Sequence, residues 1–242
     1  MLNVEFDFRT DSNGKDPDSY SPTLKNFHKL IWSKPLPSGE LFKLSDATYG
    51  RYLENKSKSG TYFLSSDSIA NSYSLRKGPI SDLIRQIEPK VLEHFRTVNS
   101  TIGSFIIFPS NRVKNKHTIN VERGFNKRIA DRFDLTLECI RRYYLHIESP
   151  LQEVLARYRS FFELFGDFKG YVNFFLLNDL VDSQFAKIKF FLPEIDLFSK
   201  SPLPTDVPTY MTYYKNSTEF SFARNIRIAE WVKENLPSNT SA

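Results

Sequence analysis

Cysteine is nearly absent: Cys139 is the only one in 242 residues. An intramolecular disulfide and a cysteine-based zinc cluster are therefore excluded, and a reducing compartment fits. Glycine is scarce at nine residues, and neither GxGxxG nor GxxxxGK followed by Ser or Thr occurs. This rules out the glycine-rich phosphate loops of dinucleotide-binding and P-loop folds. Long apolar runs are missing too. The densest, Tyr171 to Leu177, falls far short of the roughly 20 residues a membrane-spanning helix needs. The opening residues lack a basic segment followed by an apolar one, so an unexported, cytoplasmic protein without membrane contact is expected.

Aromatic residues are what the chain has in quantity. With 22 Phe, 12 Tyr and 40% hydrophobic residues it can bury a large core, and without an internal repeat it reads as a single domain over 1–242. Residues 1–40, punctuated by Pro17, Pro22, Pro35 and Pro37, are expected to be an irregular wrap in which only Leu24 to Trp32 is apolar-periodic. Residues 41–110 are expected to be mainly strands, at 41–46 and 61–65, plus one helix from Ile80 to Phe95 that Pro89 kinks or splits. The strongest strand signal is Ile102 to Pro109, β-branched and aromatic and ending in a turn. Residues 127–236 read as mainly helical. One helix spans Lys127 to Tyr144, and a second is opened by Ser149 as N-cap with Pro150 at the first position and closed by Gly166. A third covers 167–180, a strand 187–192, and one or two helices 208–235. The class is α+β, with a mixed sheet centred on Ile102 to Pro109 and helices mainly from the C-terminal half.

The formal net charge is +5, and residues 112–128 alone carry six Lys or Arg against one acid, Glu122. Lys114, Lys116, Asn120, Arg123, Asn126 and Arg128 in this stretch are candidates for holding a phosphate, with His117 a candidate base. A helix beginning near Lys127 would add free backbone N–H groups. Arg123, beside Gly124, is best placed for a bidentate clamp, and as a loop residue its removal should change stability by no more than about 0.5 kcal/mol. On a helical wheel Asp131, Glu138 and Arg142 line up opposite Phe133, Leu137 and Ile140. The plainer reading is a solvated face of ion pairs contributing about 0.2–0.5 kcal/mol each. Leu135 and Cys139 beside the stripe suit a cleft instead, with Asp131 or Glu138 as general base and Arg142 tuning it.

Asp11 to Asp18 does not satisfy the ligand positions of a calcium-binding loop, which leaves only a loose divalent site from Asp11, Asp16 and Asp18 as an alternative; no metal or cofactor is assigned. Ser65, Ser66 and Ser68 offer hydroxyls to which the sequence pairs no base.

The block from Asp131 to Tyr144 (DRFDLTLECIRRYY), Ser149-Pro-Leu151, Phe161 to Tyr171 (FFELFGDFKGY) and Phe174-Phe-Leu-Leu177 resemble a bacterial family of uncharacterised proteins. Asp16-Pro-Asp18, the Trp32 to Pro37 segment, Leu64-Ser-Ser-Asp67, Ser201 to Pro204 and Ala223-Arg-Asn225 fit the same resemblance, which covers nearly the whole chain. It implies no activity. From the residues, the expected function is a bacterial enzyme that hydrolyses a phosphodiester or N-glycosidic bond in nucleic acid or nucleotides, with a role in phage defence among the expectations. The alternative is a non-catalytic protein binding nucleic acid or an acidic partner through 112–128. Nucleic acid is the expected partner, and the oligomeric state is left open.

Overall fold

The computed structural model describes residues 2–48, 52–57, 60–111, 113, 116–193 and 197–236. Two of the four prolines of the first forty residues start helices rather than prevent them. Pro17 and Pro22 occupy first turns, where a missing N–H costs nothing, of α1 (Pro17–Tyr20) and α2 (Pro22–Trp32). Asp16 caps α1, and the Ser21 hydroxyl caps α2 by accepting from Leu24 N at 3.0 Å. The expected wrap is irregular over 2–16 and helical over 17–20 and 22–32, and α2, which contains the expected periodic segment, buries Leu24, His28, Ile31 and Trp32.

The strands form two antiparallel sheets, not a mixed one. β1 (Lys34–Pro35) pairs with β2 (Leu41–Phe42). The larger sheet runs β3 (Leu44–Asp46), β4 (Leu53–Ser57), β5 (Gly60–Ser68) and β6 (Phe105–Pro109) in that order, so β6 lies at its edge rather than at its centre. Between β5 and β6 the expected single helix is split into α3 (Pro79–Ile84) and α4 (Pro89–Asn99), with Pro89 again in a first turn. Pairing of Asp67 with Ile106 and Ser66 with Ile107 fixes which residues share a face. Phe8 packs on Phe105 and His28 bonds Ser66 on one face, while Asn120 bonds Ser65 and Phe133 packs on Phe108 on the other. Every residue of β6 is buried, because both faces are covered.

The helix expected from Lys127 to Tyr144 is shorter at its start, and another helix precedes it. α5 (Ile119–Phe125) lies inside the stretch expected to be a basic loop, and α6 (Phe133–Tyr144) starts six residues later than Lys127. Between them Ala130 and Asp131 adopt φ of +49° and +66°. Left-handed backbone at two successive residues with a Cβ costs about 1–2 kcal/mol each, so packing must hold this break. No helix therefore begins at Lys127.

Past α6, α7 (Gln152–Arg157) is preceded by Leu151, not by a Ser149 cap, and α8 (Arg159–Glu163) comes after a break at Tyr158. Gly166, at φ +75°, turns the chain into α9 (Phe168–Phe174), capped by Asp167. The 187–192 segment contributes only an isolated bridge, Val181 to Ile188. α10 (Val207–Asn235) is one helix. The rings of Phe42, Phe161, Phe165, Tyr171, Phe174 and Phe175 interlock with centroid spacings of 4.9–6.4 Å, the aromatic layer that composition implied. Among the described residues no helix is long and apolar enough to cross a membrane.

Candidate active site

The C-terminal end of β5 presents Ser66, Asp67 and Ser68, half-buried polar residues inside the sheet, and several other segments converge on it. α5 supplies Arg123, whose side chain is fully buried. Its Nη1 donates to Asp67 Oδ2 at 2.6 Å and to the Ser68 carbonyl at 3.1 Å, Nη2 to the Asp131 carbonyl at 3.1 Å, and Nε to Thr136 Oγ1 at 3.3 Å. Asp131 Oδ1 lies 3.3 Å from Nη1, while its Oδ2 accepts from Asn71 Nδ2 at 2.8 Å. The left-handed turn at Asp131 is what brings both its carbonyl and its carboxylate to Arg123.

Asp18, on α1, completes the cluster. Burial first, then the negative charges of Asp67 and Asp16, hold its carboxyl well above the usual range, against a hydrogen bond from Ser66 that favours ionisation. Its Oδ1 is buried and accepts no hydrogen bond among the described residues. Asp67 is pushed up to about 6, by burial and by Asp131, with Arg123 pulling the other way. His28 orients the Ser66 hydroxyl, which points to the opposite face of the sheet from Asp67. The Trp32 indole can only donate, at 2.9 Å to His28 Nδ1, so the imidazole proton sits on Nε2 and is donated to Ser66 Oγ at 2.9 Å. That leaves the Ser66 hydroxyl free to donate to Asp18. Burial, then Arg224, depresses the His28 pKa to about 3, so the ring stays neutral.

The cluster opens on a cleft of about 460 Å³. Asp18, Ser68 and Asn71 line its wall and Arg9, Arg76 and Arg96 its rim, while Asp67 and Arg123 stand behind. Arg9 is engaged by Asp7 and Glu93. Arg76, by contrast, is held through its donation to the Gly124 carbonyl at 3.2 Å, and Arg96 through long contacts of 3.4 Å to Ser74 and Glu93. A carboxyl whose proton affinity is raised by burial and by neighbouring negative charge, facing a cleft with two loosely held guanidiniums, can donate a proton to a leaving group on an anionic substrate.

The residues singled out from sequence are not one site. Arg123 and Asp131 meet here, but Arg123 is a sealed structural centre and not a solvent-facing phosphate clamp. Asn120 reaches the same strand, donating to Ser65 Oγ at 2.9 Å and Ser66 O at 3.3 Å. Glu138 and Arg142 are joined at 2.8 Å with Arg141 at 2.7 Å on the other carboxylate oxygen, at the far half of α6 and without contact to Arg123. Glu138 is 3% exposed, so the solvated-face reading fails there. Lys116, Asn126 and Arg128 line a second, open cleft of about 920 Å³. There Lys116, Arg128 and Arg157 share the lining with Glu122, Glu148 and Glu153, three cations with three carboxylates, so among the described residues this cleft is not a basic face. Lys114 lies outside the described residues. Asp11 and Asp16 are taken up as caps, Asp11 Oδ2 accepting from Thr23 N at 3.0 Å, and no group of three His, Cys, Asp or Glu among the described residues is arranged to hold a metal ion.

Sequence reasoning missed Asp67, Asn71 and His28, and placed Asp18 only in a loose cation site. A signal existed: Ser-Ser-Asp continuing an apolar strand, and Asp16-Pro-Asp18 among the segments that carried the family resemblance. No curated protein and no solved structure matches the chain. A family model does, over residues 2–228: the chain belongs to the family of unknown function DUF6994.

Proposed function

We propose that the protein is a hydrolase of nucleotides or nucleic acid, and that its site is the Asp18 cleft rather than the 112–128 segment. The observation that carries this reading is Asp18 in the cleft wall, its carboxyl held well above the usual range by burial and by the charge of Asp67. Cleavage of an N-glycosidic bond calls for this division of labour. An acid protonates the departing base as the sugar gains oxocarbenium character, and an ionised carboxylate activates water or stabilises that charge. Asp18 takes the first role; Asp67, behind the cleft wall, takes only the charge-stabilising part of the second, acting through space, with Arg123 keeping it ionised at neutral pH. Arg76 and Arg96 on the rim suit the substrate phosphate. Phosphodiester cleavage uses the same acid less directly and ranks second.

These two protonation states set the sign of the pH dependence. Asp67 must be ionised, so the rate falls below pH about 6, and Asp18 must be protonated, so it falls again on the alkaline side. The test is chromatographic detection of free base and of phosphate from nucleosides, nucleotides and single-stranded oligonucleotides. Asp18→Asn keeps the shape of the neutral acid and should melt like the wild type while losing about 10²–10⁴-fold in rate. No release of base or phosphate from any of these substrates, or full activity in Asp18→Asn, refutes the proposal.

A further inference from the structure

Lys34 is 7% exposed, on the two-residue strand β1. A lysine so buried is ordinarily paired with a carboxylate. Among the described residues no carboxylate or hydrogen-bond acceptor holds this one. Its Nζ stands instead 4.6 Å from the ring centroid of Trp231, 4.9 Å from that of Phe174 and 5.0 Å from that of Trp32. A second cation belongs to the same aromatic layer: the fully buried Arg224, 5.5 Å from the Trp32 ring, donates to the carbonyls of Phe175, Gly103 and Phe105. Guanidinium does not give up its proton in proteins, so the amine is the group that yields. Burial, then Arg224, brings the Lys34 pKa down to about 7. The ring faces favour the ammonium, but without a carboxylate they offset only part of the desolvation.

The amine opens on a cleft of about 450 Å³ between β1, the start of α9 and the end of α10, lined also by Asp167, Lys169, Asn173 and Asn235. We propose that Lys34 is a reactive amine that forms an imine with a small aldehyde or ketone entering this cleft. The unprotonated Nζ attacks the carbonyl carbon and a C–N bond forms. Nitrogen gives up its two protons, and the carbonyl oxygen leaves with them as water, so no oxidant or reductant is consumed. The three rings around Nζ would face the protonated imine as they do a cation and keep bulk water from hydrolysing it. This site is separate from the Asp18 cleft and does not depend on the hydrolase reading.

The experiment treats the full chain with propanal and sodium cyanoborohydride at pH 7 and maps alkylated lysines by peptide mass spectrometry. The hydride reduces each imine to a stable secondary amine, so each mark counts an imine. An ordinary lysine is neutral in only roughly one molecule in 2,500 at pH 7, whereas about half of a population with a pKa of about 7 is neutral. Restricted entry takes back part of that advantage. Lys34 should still be alkylated at least about tenfold faster than the exposed Lys169. In denaturing urea, which removes the ring cage, the two rates should converge, and Lys34→Arg should erase this mark alone. Alkylation of Lys34 no faster than Lys169 in the native protein overturns the proposal. So does a preference that survives in urea, since it would come from neighbouring sequence and not from the cage.

Discussion

Replacing Arg123 by Met tests whether the centre of the Asp18 cleft is an ion network or a chance meeting of charges. Methionine keeps most of the volume, so the loss measured is electrostatic. The substitution removes the donor at 2.6 Å from Asp67 and at 3.3 Å from Asp131, and leaves both carboxylates in a site from which the guanidinium itself is fully shielded. It also orphans the Ser68 carbonyl and one bond each to Asp131 and Thr136. Breaking a buried pair from one side costs about 3–5 kcal/mol, several times the roughly 0.5 kcal/mol a loop arginine would forfeit. Asp67→Asn should cost less, because Arg123 keeps Asp131, and the double variant should be more stable than the sum of the single losses implies by about 1–3 kcal/mol. Urea unfolding at pH 7 and pH 5 provides the readout. Removal of the guanidinium takes away the influence that lowers Asp67, so its folded pKa rises beyond about 6. A carboxyl raised in the folded state binds protons the unfolded chain does not, so stability is present at low pH and is lost as pH rises through the folded value. The penalty of Arg123→Met should therefore shrink between pH 7 and pH 5. A loss under about 1 kcal/mol at pH 7, or strict additivity with Asp67→Asn, would refute the network.

Glu138→Gln should cost about 1–3 kcal/mol by thermal melting, because the carboxylate is 3% exposed between two arginines, whereas Arg142→Met should cost about 1 kcal/mol or less since Arg141 remains; equal losses would contradict the geometry. Gly103→Ala would drive a methyl group into the Ser221 carbonyl and to 2.7 Å from Asn225 Oδ1, so it should destabilise by about 1–3 kcal/mol, and an unchanged denaturation midpoint would show that α10 is not packed this closely. Titrating labelled single-stranded DNA at several salt concentrations should give a log–log slope that falls by about 1.4 when Arg76 and Arg96 are both changed to Ala, at about 0.7 per phosphate contact, and by less than one contact's worth for Lys116→Ala with Arg128→Ala. The reverse order would return the interface to the 112–128 segment.

The α+β class, the apolar strand ending at Pro109, the helix at the C-terminus and the aromatic core could all be read from the chain, because each rests on local periodicity or composition. Proline misled the reading of the N-terminal forty residues: the same residue that breaks a helix interior is favoured in its first turn, and the choice depends on whether the next turns of chain can be buried. The break between α5 and α6 was not legible either, since a left-handed pair such as Ala130 and Asp131 has no sequence mark and is maintained by bonds from Arg123 and Tyr73. Charge misled most. Counting along the chain put Arg123 with its basic neighbours, but helical and strand geometry turned it inward to Asp67, 56 residues away, and left Lys116 and Arg128 lining a cleft with three glutamates. Sequence determines which charges exist and how far apart they are along the backbone. Whether they pair, stay buried or face a cleft is decided by contacts between distant segments, where the energy of a charge depends on its desolvation and its partner rather than on its position in the chain.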